Sequence, residues 1–286
     1  MGVLRVAMRL LAMLPLSATH ALGAALGWAM YFASSRYRRL LRDNLAQAGY
    51  GDAKIRREAI ASAGKMLTEL PTVWLRSREV AARRVRRIVG LERVDEARRR
   101  GQSIVFLTPH CGCFEIAAQA MAEHVPLAVL YRPPKLAALE PLMERGRAKR
   151  NLRLARADYG GVRDLVEALR RGEAVGMLPD QVPGVGEGEW AEFFGRPAYT
   201  MTLAAKLIAR RDTVGLLVRC ERLPAGRGYV MYVDALPEPL PGESGVRRIN
   251  RAIELAIRQR PGQYLWSYNR YKSPRGAPPP PPERRA

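Results

Sequence analysis

Two side chains capable of proton transfer, His110 and Glu115, stand five positions apart in the stretch Leu107-Thr-Pro-His-Cys-Gly-Cys-Phe-Glu115. On one regular helix they would point in different directions, because each residue turns by about 100°. A loop that turns into a helix can instead fold the two together, with Gly112 relieving the turn. A carboxylate bonded to one imidazole nitrogen fixes the tautomer and leaves the other nitrogen free to take a proton. His110 is therefore a candidate general base. No serine or cysteine is required if the nucleophile is a hydroxyl of the substrate. The competing reading is a buried histidine closing a strand, beside a glutamate favoured at a helix N-terminus. From this stretch alone both readings stay open.

The neighbouring thiols invite a metal reading that the ligand count does not support. The three cysteines, Cys111, Cys113 and Cys220, are odd in number and irregular in spacing, which fits a reducing compartment rather than a disulfide framework. A structural zinc site wants four ligands, usually in two pairs, and Cys220 has no partner near it in sequence. No metal is expected.

The elements that must position these groups follow from the apolar runs. Residues 104–107, bounded by Gly101 and Pro109, have the length and flanks of a buried strand, and residues 114–124 continue as a helix. Further short apolar runs at 127–131, 152–155 and 174–178 alternate with helical segments. That rhythm predicts an α/β fold, with a mainly parallel central sheet flanked by helices. Ligands gather at the C-terminal ends of strands in such sheets, and His110, Arg132 and Asp180 each follow a predicted strand there. Arg132-Pro-Pro-Lys135 holds two cations at a strand exit. Asp180 either shapes the site or caps the loop that follows it. Beyond it, residues 214–222 and 229–236 read as a hairpin, 246–260 as a helix and 263–268 as a last strand-like segment. Pro71 is expected to end or kink the helix before it.

Residues 10–35 carry no formal charge, and about 20 apolar residues suffice to cross a bilayer. Arg5 and Arg9 precede the run, while Arg36, Arg38, Arg39 and Arg42 follow it. The heavier basic flank would leave the rest of the chain in the cytoplasm. Residues 1–36 are thus expected to be an N-terminal membrane-anchor helix. Pro15 and His20 weaken the run, so crossing the bilayer and lying in its interface both remain open. Residues 37–273 would form the catalytic domain, and the Pro-rich tail 274–286 is expected to be disordered. A net charge of +21 over 286 residues calls for an acidic partner. An anionic membrane and an acidic carrier protein both qualify. No zinc-finger, homeodomain or aromatic-rich RNA-binding signature accompanies the charge, so nucleic acid is not expected.

His110, Glu115, Arg132, Asp180-Gln181 and Phe193-Phe-Gly-Arg-Pro197 together resemble the late acyltransferases of lipid A biosynthesis, within the wider lysophospholipid acyltransferase superfamily. Gln263-Tyr-Leu-Trp266 with Arg270-Tyr-Lys272 is similar to that family's closing motif, and the resemblance runs from about residue 10 to 272. Between His110 and Glu115, where the family commonly has Gly-Asn-Trp, this chain has Gly-Cys-Phe. It lacks the Glu-Gly-Thr-Arg block of glycerolipid acyltransferases, which favours the lipid A branch. The resemblance implies an O-acyltransferase that needs no cofactor. It would move a fatty acyl chain from acyl carrier protein to a hydroxyl of a lipid A precursor, at the cytoplasmic face of the bacterial inner membrane. His110 would act as base with Glu115 orienting it, and Arg132 would hold a phosphate or the developing oxyanion. Arg156 and Arg196 would contact lipid phosphate or the carrier protein. Another glycolipid or lysophospholipid acceptor is the nearest alternative, and a non-catalytic basic membrane-anchored binding protein the next.

Overall fold

The computed structural model describes residues 2–134, 139–148 and 151–282, with the side chains of residues 2–5 and 78–79 outside that description. Helices α1 (Gly2–Met13), α2 (Leu16–Ala33), α3 (Ser35–Gln47), α4 (Ala53–Leu75) and α5 (Arg78–Ala82) come first. Then β1 (Val85–Val89), α6 (Glu92–Arg99), β2 (Ser103–Leu107), α7 (Phe114–Met121), β3 (Leu127–Tyr131), α8 (Glu140–Arg147), β4 (Leu152–Arg156), α9 (Tyr159–Arg170) and β5 (Ala174–Met177) alternate. After them come β6 (Gly188–Phe193), β7 (Arg196–Met201), α10 (Leu203–Ile208), β8 (Thr213–Arg222), β9 (Tyr229–Ala235) and α11 (Gly245–Gln259).

The main sheet has the order β1-β9-β8-β2-β5-β3-β4, while β6 and β7 pair separately as an antiparallel hairpin. Within the main sheet only β8 and β9 are antiparallel neighbours. The expected mainly parallel α/β architecture is therefore present. Alternation along β2 explains its burial on both faces. Val105 and Leu107 enter the core shared with α9 and α11, whereas Ile104 and Phe106 enter the core shared with α7. Helix α11 closes the first of these with Ile249, Ile253 and Ile257, spaced for one helical face, and each such burial is worth roughly 1.5–3 kcal/mol.

The N-terminal expectation needs correcting. Residues 10–35 do not form one continuous helix: α1 stops at Met13 and α2 restarts after Pro15, which has no N–H to continue the ladder. Among the described residues no helix is long and apolar enough to cross a membrane. Helix α2 instead lies against α4 at backbone contact. A Cβ on Gly64 would fall 1.9 Å from the Gly23 carbonyl oxygen, and one on Gly27 would fall 2.1 Å from that of Ile60. Glycine is the residue type that permits this approach, and Thr19 and His20 are buried in the same seam.

Smaller departures have local causes. Helix α4 continues through Pro71 to Leu75, because the packed face it presents outweighs one lost ladder bond. The segment 263–268 is not a strand; a 3₁₀ turn, Pro261–Gln263, leads into one isolated bridge between Tyr264 and Cys111. Lys135 lies outside the described residues. The Pro-rich tail carries neither helix nor strand through Pro282, and Trp190 Nε1 donates to the Pro278 carbonyl at 2.9 Å.

Candidate active site

Strands β2, β5 and β3 are adjacent, and the residues leaving their C-terminal ends meet in one cleft. From β2 the chain passes Thr108 and Pro109 to His110; from β5 it passes Leu178 and Pro179 to Asp180 and Gln181. Asp180 is 1% exposed and addresses His110 twice. Its Oδ2 accepts the His110 backbone N–H at 2.8 Å, and its Oδ1 lies 2.8 Å from the ring Nδ1. Burial alone would raise the Asp180 carboxyl. The charge and hydrogen bonds of His110 reverse that and hold it below its ordinary value. An ionised carboxylate only accepts, so Nδ1 carries the proton. The other nitrogen, Nε2, accepts from the Gln181 amide at 3.1 Å at the cleft, a bond that an incoming hydroxyl would have to displace. The ring is further held by Phe114, with centroids 4.7 Å apart.

The expected hydrogen bond between His110 and Glu115 is not made among the described residues. Glu115 lies in the first turn of α7, 9% exposed, and takes other partners. Its Oε2 accepts from Trp74 Nε1 at 3.1 Å and from Arg147 Nε at 2.9 Å, while Arg147 Nη2 reaches Oε1. Two parallel N–H donors on one carboxylate make a bidentate pair, and the guanidinium also lies 5.6 Å from the Trp74 ring. The carboxylate that does bond the His110 ring stands 70 residues further along the chain, at Asp180.

A cavity of about 270 Å³ opens at these groups. His110, Glu115, Arg132, Arg147 and Gln181 supply its polar side, and Phe114, Leu130, Leu154 and Leu178 are among the apolar side chains of its wall. It thus offers an apolar wall next to an imidazole and two guanidinium groups, the composition expected of a ligand site. Arg132 is exposed on this cavity. Arg156 and Arg196 do not line it. Arg156 pairs with Glu140 at 2.6 Å on the surface, and Arg196 stacks over Tyr271 at 4.8 Å. Arg270, in the closing motif, is 2% exposed and joins β7 to α11 through the Tyr199 carbonyl and Asn250.

The loop bearing His110 is pinned on its backbone. His110 C=O accepts from Leu265 N at 3.0 Å, Gly112 N donates to Gln263 C=O at 2.9 Å, and Cys113 N donates to Cys220 C=O at 2.9 Å. Gly112 has φ +61°, and a Cβ there would lie 1.8 Å from the Cys220 oxygen, so only glycine fits. All three thiols are buried; burial pushes Cys111 up to about 12 and raises Cys113 and Cys220 as well. They are neutral sulfurs, unsuited to nucleophilic attack at neutral pH.

An imidazole oriented by a buried carboxylate and opening on an apolar-walled cavity, at the C-terminal ends of parallel strands, gives an α/β fold with a site suited to proton transfer. The chain belongs to the bacterial lipid A biosynthesis acyltransferase family, whose model matches residues 3–273. Among its relatives in Escherichia coli (strain K12), the lipid A biosynthesis palmitoleoyltransferase is 26% identical over 219 residues, covering 76% of this chain and 71% of that protein. The lauroyltransferase is 26% identical, with 76% and 72% covered, and the myristoyltransferase 26% identical, with 82% and 74% covered. The resemblance drawn from His110, Glu115 and the later motifs is therefore right at the level of the family.

Sequence reasoning missed Arg147 and gave Asp180 no part in orienting the imidazole. Arg147 stands on a short helix with no motif around it. Asp180 could have been weighted more heavily, since it leaves a predicted strand at the same end of the parallel sheet as His110.

Proposed function

We propose that this protein transfers a fatty acyl chain from acyl carrier protein to a hydroxyl of a lipid A precursor, at the cytoplasmic face of the bacterial inner membrane and without a cofactor. The observation that carries this reading is the His110 imidazole, with Nδ1 on Asp180 and Nε2 turned to an apolar-walled cavity. Nε2 takes the proton of the acceptor hydroxyl as its oxygen attacks the thioester carbonyl. The C–S bond then breaks, and the departing thiolate recovers the proton from the imidazolium. Asp180 stabilises that imidazolium throughout. Glu115 acts through Arg147, which it aims into the cavity; Arg147 and Arg132 are the cations available to a lipid phosphate or to the developing oxyanion. Arg156 and Arg196, outside the cavity, are left as contacts for carrier protein or headgroup.

The N-terminal helices supply a membrane contact that lies in the interface. Val6, Leu10 and Met13 form an exposed stripe on α1, opposite the buried Met8 and Ala12. Leu22, Leu26 and Phe32 continue it along α2.

The test uses the full chain in detergent, labelled acyl-acyl carrier protein and a lipid A precursor, with products read by mass spectrometry. One acyl group should be added to the precursor, and His110→Ala should lower the rate by about 10²–10⁴-fold. Acylation of a lysophospholipid but not of the precursor would overturn the acceptor assignment.

A further inference from the structure

We infer that Arg222, locked by Glu69, is a positioning residue that holds the proton-transfer loop in register from behind. The inference rests on His110 being the group that takes the proton. At the end of a hairpin strand, Arg222 would be expected at the surface; it is 5% exposed. Each of its three nitrogens is engaged. Nε and Nη2 address the two oxygens of Glu69, each at 2.8 Å, and Nη1 donates to Ser62 Oγ at 2.8 Å. Nη2 also donates to the Gly112 carbonyl at 2.7 Å, two residues from His110.

Glu69 on α4 is 1% exposed and is itself over-determined. Tyr229 Oη donates to it at 3.1 Å, and His20 of α2 approaches it through Nε2 at 2.7 Å. Burial pushes the Glu69 carboxyl up, but Arg222 and His20 more than reverse this and hold it at about 2. The carboxylate is thus ionised and cannot release the guanidinium. The main chain of Arg222 is fixed too: its N–H donates to Gln263 Oε1 at 2.9 Å, and its carbonyl accepts from Gln263 Nε2 at 3.1 Å.

Only a planar fork can grip a carboxylate with two parallel bonds while reaching a hydroxyl and a carbonyl on its outer edges. A lysine is a single point charge and cannot. The loop has no slack to absorb a loss here, because Gly112 is pressed against β8. Freeing its carbonyl leaves that peptide held only by the Cys113 N–H on the Cys220 carbonyl, and the resulting tilt shifts Nε2 relative to the acceptor hydroxyl. A displacement near 1 Å is enough to cost roughly 10²-fold in rate.

A second cavity, of about 460 Å³, is lined by Arg222, His20, Ser62 and Gln263, which gives small cations a path to the vacated position. The experiment measures kcat and both KM values for Arg222→Lys and Arg222→Ala, alongside melting curves. Arg222→Lys should stay folded, lose kcat by about 10²-fold and keep each KM within about twofold of wild type. Guanidinium chloride at tens of millimolar should restore kcat of Arg222→Ala at least tenfold, where ammonium chloride at the same concentration should not. If Arg222→Ala does not fold, Arg222→Lys alone decides. A lower melting temperature with wild-type kcat in the folded fraction would make Arg222 a packing residue and overturn the inference, as would Arg222→Ala that folds yet ignores guanidinium. His110→Ala separates the two readings. A wild-type rate there sinks the base assignment and this inference together, whereas an inactive His110→Ala beside a fully active Arg222→Lys sinks this inference alone.

Discussion

Asp180→Asn probes the imidazole geometry most directly. The carboxylate accepts at two points, from the His110 backbone N–H and from Nδ1, each at 2.8 Å. An asparagine offers one oxygen and one NH₂ in the same space. If its oxygen serves the backbone, the NH₂ faces Nδ1, which must surrender its proton to Nε2, and the cavity then meets a nitrogen with no lone pair. If its oxygen serves Nδ1, the NH₂ opposes the His110 N–H, leaving a buried donor unpaired at roughly 1–3 kcal/mol and pushing the loop away. Either way the imidazolium loses its counter-charge, a Coulomb term of about 4 kcal/mol at 4 Å in the effective dielectric near a protein surface. At about 1.4 kcal/mol per decade of rate, that loss alone approaches 10³-fold. Exchanging Asp for Asn beside a catalytic histidine costs about 10⁴ where the tautomer is inverted. We expect Asp180→Asn to fold and to lose about 10³–10⁴-fold in kcat, read from acyl transfer with labelled acyl-acyl carrier protein. Glu115→Gln retains an oxygen for Trp74 and for one Arg147 donor, so its main effect should be a raised KM, with kcat down by no more than about tenfold. A folded Asp180→Asn within tenfold of wild type, beside a Glu115→Gln that loses 10³-fold, would refute the reasoning and return the dyad to the glutamate.

Two further outcomes follow from other parts of the molecule. Glu69 is held at about 2 against an ordinary 4.5, so its contribution to stability is fully present above pH 4.5 and is lost as the pH falls toward 2. The gap is worth roughly 3 kcal/mol at about 1.4 kcal/mol per pH unit; urea titrations should show wild type losing stability through that window, and Glu69→Gln starting lower but responding less. On α1, Leu10 is 61% and Met13 69% exposed. Replacing both by Asp should weaken co-sedimentation with anionic vesicles by at least about 10²-fold, since each apolar side chain contributes roughly 1.5–3 kcal/mol, and undiminished binding would move the membrane contact elsewhere.

Much of the sheet was legible because its strands are short apolar runs punctuated by Gly and Pro, and the convergence of His110, Arg132 and Asp180 followed from strand direction alone. The partner of His110 was not legible. Glu115 is near in sequence, but the first turn of α7 rotates it toward Arg147, and the nearness of Asp180 arises only when β5 docks beside β2. The N-terminal run misled for a related reason. Its lack of charge resembles a bilayer span, yet Gly23 and Gly27 fit an α4 backbone whose sequence lies some forty residues later. His20 reads as a blemish in an apolar stretch until Glu69 and Arg222 are beside it. The β6–β7 hairpin was hidden because a Gly-rich approach and a Phe-Phe-Gly-Arg-Pro turn carry little alternation.

The pinned loop has a consequence for how the chain comes to life on the ribosome. Residues 110–113 take their partners from positions 180, 220, 222, 263 and 265. A nascent chain that has emerged only as far as α10 already contains His110, Asp180 and the walls of the cavity. It still lacks every group that fixes the loop on its far side. Catalytic competence is therefore a late event in synthesis, dependent on contacts of long sequence separation that form slowly. Such a chain would have the walls of the cavity in place while the segments that fix the loop from behind are still to come.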